Sequence, residues 1–245
     1  MIQTLDVFLW NQKVGSLVTY KEKYNEKVCF YYDVEFLKKG LDIAPLRASI
    51  NSQSVKSGLP VYADNDKLFG GLPSFIADSL PDYWGNKVFN EWAKLHNIST
   101  RNLSALDRLA YIGRRGMGAL EFVPEVNREC KVEKINVKSL ADLAERIFTE
   151  RESARIMPEE SITMQSLLTV GTSAGGRQPK AIIAINRETG EIRSGQIAGW
   201  EGYDYCLLKF GNSEYCSAEL EMSYYKLATM AGINMMPSEL YSVDG

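Results

Sequence analysis

The sequence predicts an α+β fold, in which an N-terminal antiparallel sheet or half-barrel with helices precedes a second antiparallel sheet that carries one long helix. Three patterns predict this class. Runs of β-branched and aromatic residues between turn residues fill the first third of the chain. Apolar residues at helical spacing follow from about Asp78 to Gly113. Short apolar strands return after residue 170, and an amphipathic helix follows them over 217–232.

The composition is that of a folded protein of ordinary charge. The chain has 245 residues, of which 45% are hydrophobic and 24% charged, so wholesale disorder is excluded. A formal net charge of −3 does not favour a surface that coats nucleic-acid phosphates. No apolar run approaches the roughly 20 residues that span a bilayer, and the N-terminus lacks the pattern of a signal peptide. We therefore expect a cytoplasmic protein without a membrane segment.

The histidine and cysteine content excludes several kinds of active site. His96 is the single histidine, so a catalytic triad, a Cys–His dyad or a multi-histidine metal centre would have to use it. It lies near the end of a predicted helix, where a capping role is expected. No C-x-x-C pair occurs, which argues against a disulfide framework or a zinc site. The four cysteines are Cys29, Cys130, Cys206 and Cys216.

The order of predicted elements begins with strands and continues with helices. Segments 5–10 and 14–18 predict a hairpin joined by a short polar loop, and Val28–Tyr32 predicts a third strand. Helical spacing then predicts one helix beginning near Pro81 and a second over Leu103–Gly113.

A polar and charged stretch at 124–136 is the predicted boundary between two domains, residues 1–130 and residues 131–245. In the second domain, Ser139 is predicted to cap a helix with one apolar face. A further short helix is predicted over 161–170.

The segment Gly171–Lys180, called the glycine segment below, has the composition of an anion-binding loop. It reads GTSAGGRQPK, and three glycines with two hydroxyls in its first six residues let backbone N–H groups approach an anion. A Walker A loop would need lysine and serine or threonine where Arg177 and Gln178 stand, and it would open a helix. Here Pro179 and an isoleucine-rich run predict a strand. By itself the segment fits a nucleotide flap and an ordinary surface turn equally well.

A lysine in the next apolar strand and a glutamate in the following helix form a second candidate feature. Lys209 lies in the strand predicted at 203–211, where a buried ammonium is costly unless it meets an anion. Glu221 lies at the margin of the apolar stripe of the last helix, from which it would reach the sheet. Such a pair is the arrangement of a protein kinase N-lobe, in which the ammonium binds nucleotide phosphates. Taken singly, Lys209 also fits an edge-strand lysine and Glu221 a solvated helix residue. The stripe expected to be buried comprises Leu220, Tyr224, Leu227 and Ala231.

Several motifs, in order along essentially the whole chain, resemble the HipA family, the bacterial toxin-type serine/threonine kinases of HipA–HipB toxin–antitoxin modules. GTSAGGRQPKA at 171–181 is similar to the family's glycine loop, and LLKF at 207–210 to its nucleotide-lysine strand. LExxYYxxAxxAGI at 220–233 resembles the first helix of its N-lobe. The motifs that resemble its N-terminal subdomain are FGGLP at 69–73, DSLPDYWG at 78–85 and GMGALEF at 116–122.

The resemblance implies a kinase-like fold and roles for individual residues. Lys209 would contact the phosphates of ATP, and Glu221 would orient Lys209. Family members autophosphorylate a loop serine, which silences the enzyme; Ser173 is the matching position, with Thr172 as the alternative. The nucleotide-binding loop that the resemblance implies comprises Gly171, Thr172, Ser173, Ala174, Gly175, Gly176 and Lys180.

The resemblance also implies partners. Family members act in persistence, bind a HipB-like antitoxin that carries the DNA-reading helices, and phosphorylate translation components, notably a glutamyl-tRNA synthetase. DNA would therefore be reached only indirectly, through the antitoxin. The one local basic cluster is interpreted as a solvated helix face and comprises Arg101, Arg108, Arg114 and Arg115.

Two departures from the family pattern change what is expected. The family usually has Arg-Pro-Lys where this chain has Gln178-Pro179-Lys180, so the arginine–phosphate contact is not carried over to Arg177. The sequence ends at Gly245 without the family's C-lobe, which holds the catalytic Asp and the Mg²⁺-binding Asp. We therefore expect a truncated kinase, natural or experimental, that uses ATP and Mg²⁺ only when complete. The alternative hypothesis is a non-catalytic binding module that captures an antitoxin or a separate kinase half.

Overall fold

The computed structural model describes residues 2–22, 25–63, 68–100, 103–116, 118–124, 134–149, 160–171, 176–196, 199–211 and 216–242. The chain divides into two compact units. The first comprises Met1–Asp82 and His96–Cys130, and the second comprises Tyr83–Leu95 and Lys131–Gly245. No helix in the described ranges is both long and apolar enough to cross a membrane.

Helices and antiparallel strands are mixed in both units, which confirms the predicted α+β class. Up to Val123 the elements are β1 (Thr4–Leu9), β2 (Gln12–Glu22), β3 (Asn25–Tyr32), α1 (Val34–Leu37), α2 (Gln53–Lys56), β4 (Val61–Tyr62), α3 (Ser74–Ala77), α4 (Tyr83–Leu95), α5 (Ala105–Ile112) and β5 (Leu120–Val123). The elements after Val123 are α6 (Val137–Thr149), α7 (Ser161–Gly171), β6 (Lys180–Ile185), β7 (Ile192–Ser194), β8 (Asp204–Lys209) and α8 (Ser217–Met230).

The first unit is built on a five-stranded antiparallel sheet with the order β4-β3-β2-β1-β5. The predicted hairpin is confirmed, but its turn lies slightly earlier than expected. Trp10 and Asn11 have φ values of 49° and 62°, and Leu9 pairs directly with Gln12. Two successive residues at positive φ match the twist of the flanking strands, which explains why the chain reverses within two residues.

One face of this sheet carries the core of the first unit. Phe30, Leu17 and Val7 are fully buried there, and α5 packs Leu106 and Leu109 into the same cluster. Alternate strand residues point to the same face, so a period-two apolar pattern is sufficient to build this layer.

The beginning of α5 is fixed by a reciprocal capping box. The Ser104 hydroxyl accepts a hydrogen bond from the Asp107 N–H at 3.1 Å, and the Asp107 carboxylate accepts one from the Ser104 N–H at 2.9 Å. The Ile2 N–H also donates to Asp107 at 3.0 Å. Burial raises the pKa of Asp107, but these hydrogen bonds to the charged form outweigh it and leave the pKa below its ordinary value.

Asp107→Asn is expected to lower the free energy of unfolding at pH 7 by about 1 kcal/mol, because the hydrogen bonds to a carboxylate are weakened. A group whose pKa is depressed by folding contributes stability above its unfolded pKa of about 4, and loses it as the pH falls through the folded pKa. The difference between the two proteins should therefore shrink below about pH 4. Urea unfolding at pH 7 and pH 3 measures it, and a difference that is the same at both values would contradict this assignment.

The second unit combines a three-stranded antiparallel sheet of order β7-β6-β8 with helices α4, α6 and α7. Apolar stripes at helical spacing supply its core. The main buried side chains are Trp84, Val88 and Phe89 of α4, Leu140, Leu143 and Ile147 of α6, and Met164, Leu167 and Leu168 of α7.

Two sequence predictions for the second unit are wrong in detail. The first concerns α6, which begins at Val137, so the capping residue is Asn136 and not Ser139. The Ser139 N–H donates to the Asn136 side chain at 3.0 Å. Both residue types cap helices, and apolar periodicity does not distinguish between them.

The second concerns the apolar stripe of α8, which is exposed and not buried. None of the residues of α8 is buried, because no described element covers the helix. Leu220, Tyr224 and Leu227 are 56%, 67% and 61% exposed, and Ala231 beyond the helix is exposed as well. The predicted end of the helix is confirmed, since Gly232 follows it with φ of +80°.

Candidate functional site

Two lysines lie opposite each other at one end of the β7-β6-β8 sheet. Lys180 begins β6, Lys209 ends β8, and the two are direct partners in the antiparallel register. Residues directly opposite each other in such a pair share a face of the sheet. The Phe210 N–H donates to the Pro179 carbonyl at 3.1 Å, which continues the pairing toward the glycine segment. The local structure therefore gathers two positive charges beside that segment.

Lys209 and Glu221 form an ion pair. The Lys209 Nζ lies 2.6 Å from the Glu221 Oε2, so the structure brings together the strand lysine and the helix glutamate that the sequence singled out. Of the two alternatives open for Lys209, the structure shows the edge-strand lysine, because β8 is an outer strand of the described sheet and the side chain is 50% exposed. The face of β8 that it shares with Tyr205 and Leu207 is uncovered in the described structure. An exposed pair of this kind stabilises a fold by at most about 1 kcal/mol.

The glycine segment is described at its two ends. Gly171 is the last residue of α7, and the description resumes at Gly176. The residues between them lie outside the described ranges. They include both candidate autophosphorylation residues and comprise Thr172, Ser173, Ala174 and Gly175.

Gly176 and Lys180 lie close together at the C-terminal end of the segment. Gly176 has φ of +117°, a conformation that favours glycine. A Cβ at this position would lie 2.5 Å from the Lys180 Nζ, so the ammonium lies directly against the Gly176 backbone. Lys180 is only 5% exposed. The Gly176 backbone, which carries no side chain, thus lies beside the buried Lys180 ammonium. This combination suits the binding of an anion.

Two aromatic residues of α4 contact the glycine segment, and sequence reasoning missed this role for them. The Trp84 Nε1–H donates to the Lys180 carbonyl at 3.1 Å, and the Arg177 guanidinium lies 5.4 Å from the centre of the Tyr83 ring. The sequence signal for these residues is the DSLPDYWG motif at 78–85, which the family resemblance assigns to the N-terminal subdomain. Contacts between segments that lie so far apart in the sequence produce no periodic pattern of residue types.

The donor groups fit an anion better than a metal ion. Lys180, Lys209 and the glycine backbone all present hydrogen-bond donors, as nucleotide phosphates require. The carboxylate of Glu221 forms an ion pair with Lys209. Among the residues that the structure describes, no three histidine, cysteine, aspartate or glutamate side chains come together in a metal-binding group. The charges of Lys180 and Lys209 are thus of the sign that attracts an anion.

Comparison with protein families identifies the first part of the chain. Residues 5–123 match the family model of the HipA N-terminal domain. The chain contains a HipA N-terminal domain. The match confirms the resemblance to the HipA family, and it covers the motifs at 69–73, 78–85 and 116–122. No curated protein and no solved structure matches the chain significantly.

The HipA N-terminal domain covers just under half of the chain, from β1 to β5. It includes α4, whose packing partners are the helices of the second unit. The glycine segment, Lys209 and Glu221 lie beyond the matched residues. The HipA N-terminal domain thus supports a HipA-family protein and a toxin–antitoxin context.

Proposed function

We propose that this chain is the N-terminal portion of a HipA-like serine/threonine protein kinase, the toxin of a type II toxin–antitoxin module, and that its second unit binds the phosphates of ATP. The observation that carries the proposal is the ion pair between Lys209 and Glu221, 2.6 Å long, on the strand next to Lys180 and the glycine segment. The HipA N-terminal domain supports the same reading independently.

Each group has a definite task in this proposal. Lys209 contacts the phosphates, and Glu221 holds its ammonium in position, since a long lysine side chain would otherwise sample many rotamers. Lys180 supplies a second positive charge on the same face. The glycine segment brings backbone N–H groups to the phosphate oxygens. Charge-assisted hydrogen bonds of this kind are stronger than neutral ones, which makes phosphate binding the favourable use of the site.

Phosphoryl transfer needs more than phosphate binding. A catalytic base and Mg²⁺ ligands supply much of the rate enhancement in kinases, and the described residues bring together no such ligand set. We therefore propose that transfer requires a catalytic lobe in addition to this chain, with ATP and Mg²⁺ as cofactors of the complete enzyme. The same proposal assigns autophosphorylation to Ser173, with Thr172 as the alternative. It also assigns a HipB-like antitoxin as partner, a protein of the translation machinery as substrate and the cytoplasm as location.

Calorimetric titration with ATP and with adenosine tests the nucleotide assignment. In a protein extended past Gly245 through a catalytic lobe, we expect ATP with Mg²⁺ to bind at least about tenfold more tightly than adenosine, because the site contacts phosphates and not the base. The 245-residue chain alone should bind ATP weakly or not at all. Equal affinity of the extended protein for ATP and adenosine, or binding of neither, would exclude the proposed site.

A second candidate function is a non-catalytic binding module that captures an antitoxin or a separate kinase half. The observation in its favour is α8, whose apolar residues Leu220, Tyr224 and Leu227 are all exposed. Tight binding of an antitoxin-like protein, with no affinity for ATP in the short or the extended form, would favour this module over the kinase.

A further inference from the structure

The described ends of the glycine segment meet at a single side chain, that of Trp84 at the beginning of α4. Trp84 is fully buried, and a buried indole N–H needs an acceptor. It finds one in the carbonyl oxygen of Lys180, at 3.1 Å. The residue that ends the segment and begins β6 is therefore fixed by a hydrogen bond from a helix almost 100 positions earlier in the chain.

The other end of the segment packs against the same indole edge. A Cβ on Gly171 would lie 3.4 Å from the Trp84 Nε1 and 3.3 Å from the Lys180 carbonyl oxygen. The end of α7 and the beginning of β6 therefore both lie beside the indole. Trp84 consequently lies beside both described ends of the segment, hydrogen-bonded to Lys180 and adjacent to Gly171.

Tyr83 contacts the segment at a third point. Its ring lies under the Arg177 guanidinium at 5.4 Å and also within 5.7 Å of the Lys87 Nζ. Lys87 in turn donates to the carbonyls of Ile147 and Phe148 at 3.2 and 2.9 Å, at the end of α6. The Tyr83 ring therefore contacts both Arg177 and Lys87, and Lys87 is itself anchored to the end of α6. This contact gives Arg177 a position that does not depend on a phosphate.

We infer that Trp84 and Tyr83 are positioning residues of the glycine segment: Trp84 fixes its two ends through Gly171 and Lys180, and Tyr83 fixes Arg177. The inference rests on the proposed function only for the identity of the ligand that the segment binds. The contacts of Trp84 and Tyr83 with the segment involve no nucleotide. It assigns Tyr83 and Trp84 of the motif at 78–85 a positioning role in the second unit.

Limited proteolysis with trypsin of the full 245-residue chain tests the inference. Cleavage after Arg177 reports on the segment, and cleavage after Arg187, an exposed turn residue of the same unit, serves as the internal reference. Trp84→Phe keeps an aromatic ring but removes the indole donor, and should raise the ratio of cleavage at Arg177 to cleavage at Arg187 about fivefold, the factor for one lost hydrogen bond. Tyr83→Leu removes the cation–π contact and should raise the ratio about two- to fivefold.

Trp92→Phe is the matched control, because Trp92 is a buried tryptophan of the same helix. It should leave the ratio unchanged even where it lowers overall stability, since global unfolding exposes both sites equally. An unchanged ratio in both Trp84→Phe and Tyr83→Leu, or an equal increase at both cleavage sites, would overturn the inference. In the extended protein, ATP with Mg²⁺ should slow cleavage after Arg177; a changed ratio without this protection would leave the anchoring in place and count against the nucleotide assignment alone.

Discussion

Lys209→Ala is expected to lower the affinity of the lobe-extended protein for ATP with Mg²⁺ by at least about tenfold, the effect of losing one hydrogen bond to a charged group. Its free energy of unfolding should stay within about 1 kcal/mol of the wild-type value, because the ion pair of Lys209 with Glu221 is exposed on both sides. Calorimetric titration gives the affinity and urea unfolding gives the stability.

Lys38→Ala is the matched control for this prediction. Lys38 forms an ion pair of the same length with Glu35, 2.6 Å, and both side chains are exposed, but the pair lies at the C-terminal end of α1 in the first unit. It should change neither the affinity for ATP nor the stability appreciably. Glu221→Gln should weaken ATP binding less than Lys209→Ala, since it removes the group that positions the cation and keeps the cation. Wild-type affinity in Lys209→Ala would remove the nucleotide assignment.

Gly15→Ala is expected to destabilise the first unit by about 3 kcal/mol, at the upper end of the usual cost of overpacking. Gly15 lies in β2 opposite Tyr32 of β3, and a Cβ there would overlap both the Tyr31 carbonyl oxygen and the Phe30 ring. The carbonyl belongs to the backbone of the neighbouring strand, so the clash cannot be relieved by a change of rotamer. Chemical denaturation followed by circular dichroism measures the loss.

Gly118→Ala provides the comparison within the same unit. A Cβ at Gly118 would meet no atom within 4 Å, and its φ is not in the left-handed region. The free energy of unfolding should therefore change by no more than about 0.5 kcal/mol. Similar losses for the two variants would mean that β2 and β3 do not pair in the described register.

The order of helices and strands in this protein was predictable from the residue types within each segment. Positions where glycine ends a helix could be read directly: α5 ends before Gly113 with φ of +57°, and Gly232 follows α8 in the same way. The association of Lys209 with Glu221 was also predictable, because strand and helix periodicities fix the directions of both side chains.

Long-range packing was not predictable from the same patterns. Periodicity identifies the apolar side of α8 but not whether another element covers it, and Leu220 and Leu227 are in fact exposed. The same limit applies to Lys209, because its apolar neighbours in sequence do not decide between a buried strand and an edge strand. The contact of Trp84 with Lys180 joins a helix and a strand whose hydrophobic patterns are independent of each other. Only a spatial arrangement reveals such a contact.

The position of α4 has a consequence for dissecting this protein. The chain leaves the first unit at Asp82, contributes one helix to the second, returns at His96 and departs again after Cys130. No single cut in the polypeptide therefore yields both units whole. A fragment that starts near residue 131 lacks α4, so the space that the Trp84 indole fills beside β6 would be empty. A separate peptide with the sequence of α4 is the natural candidate to fill that space.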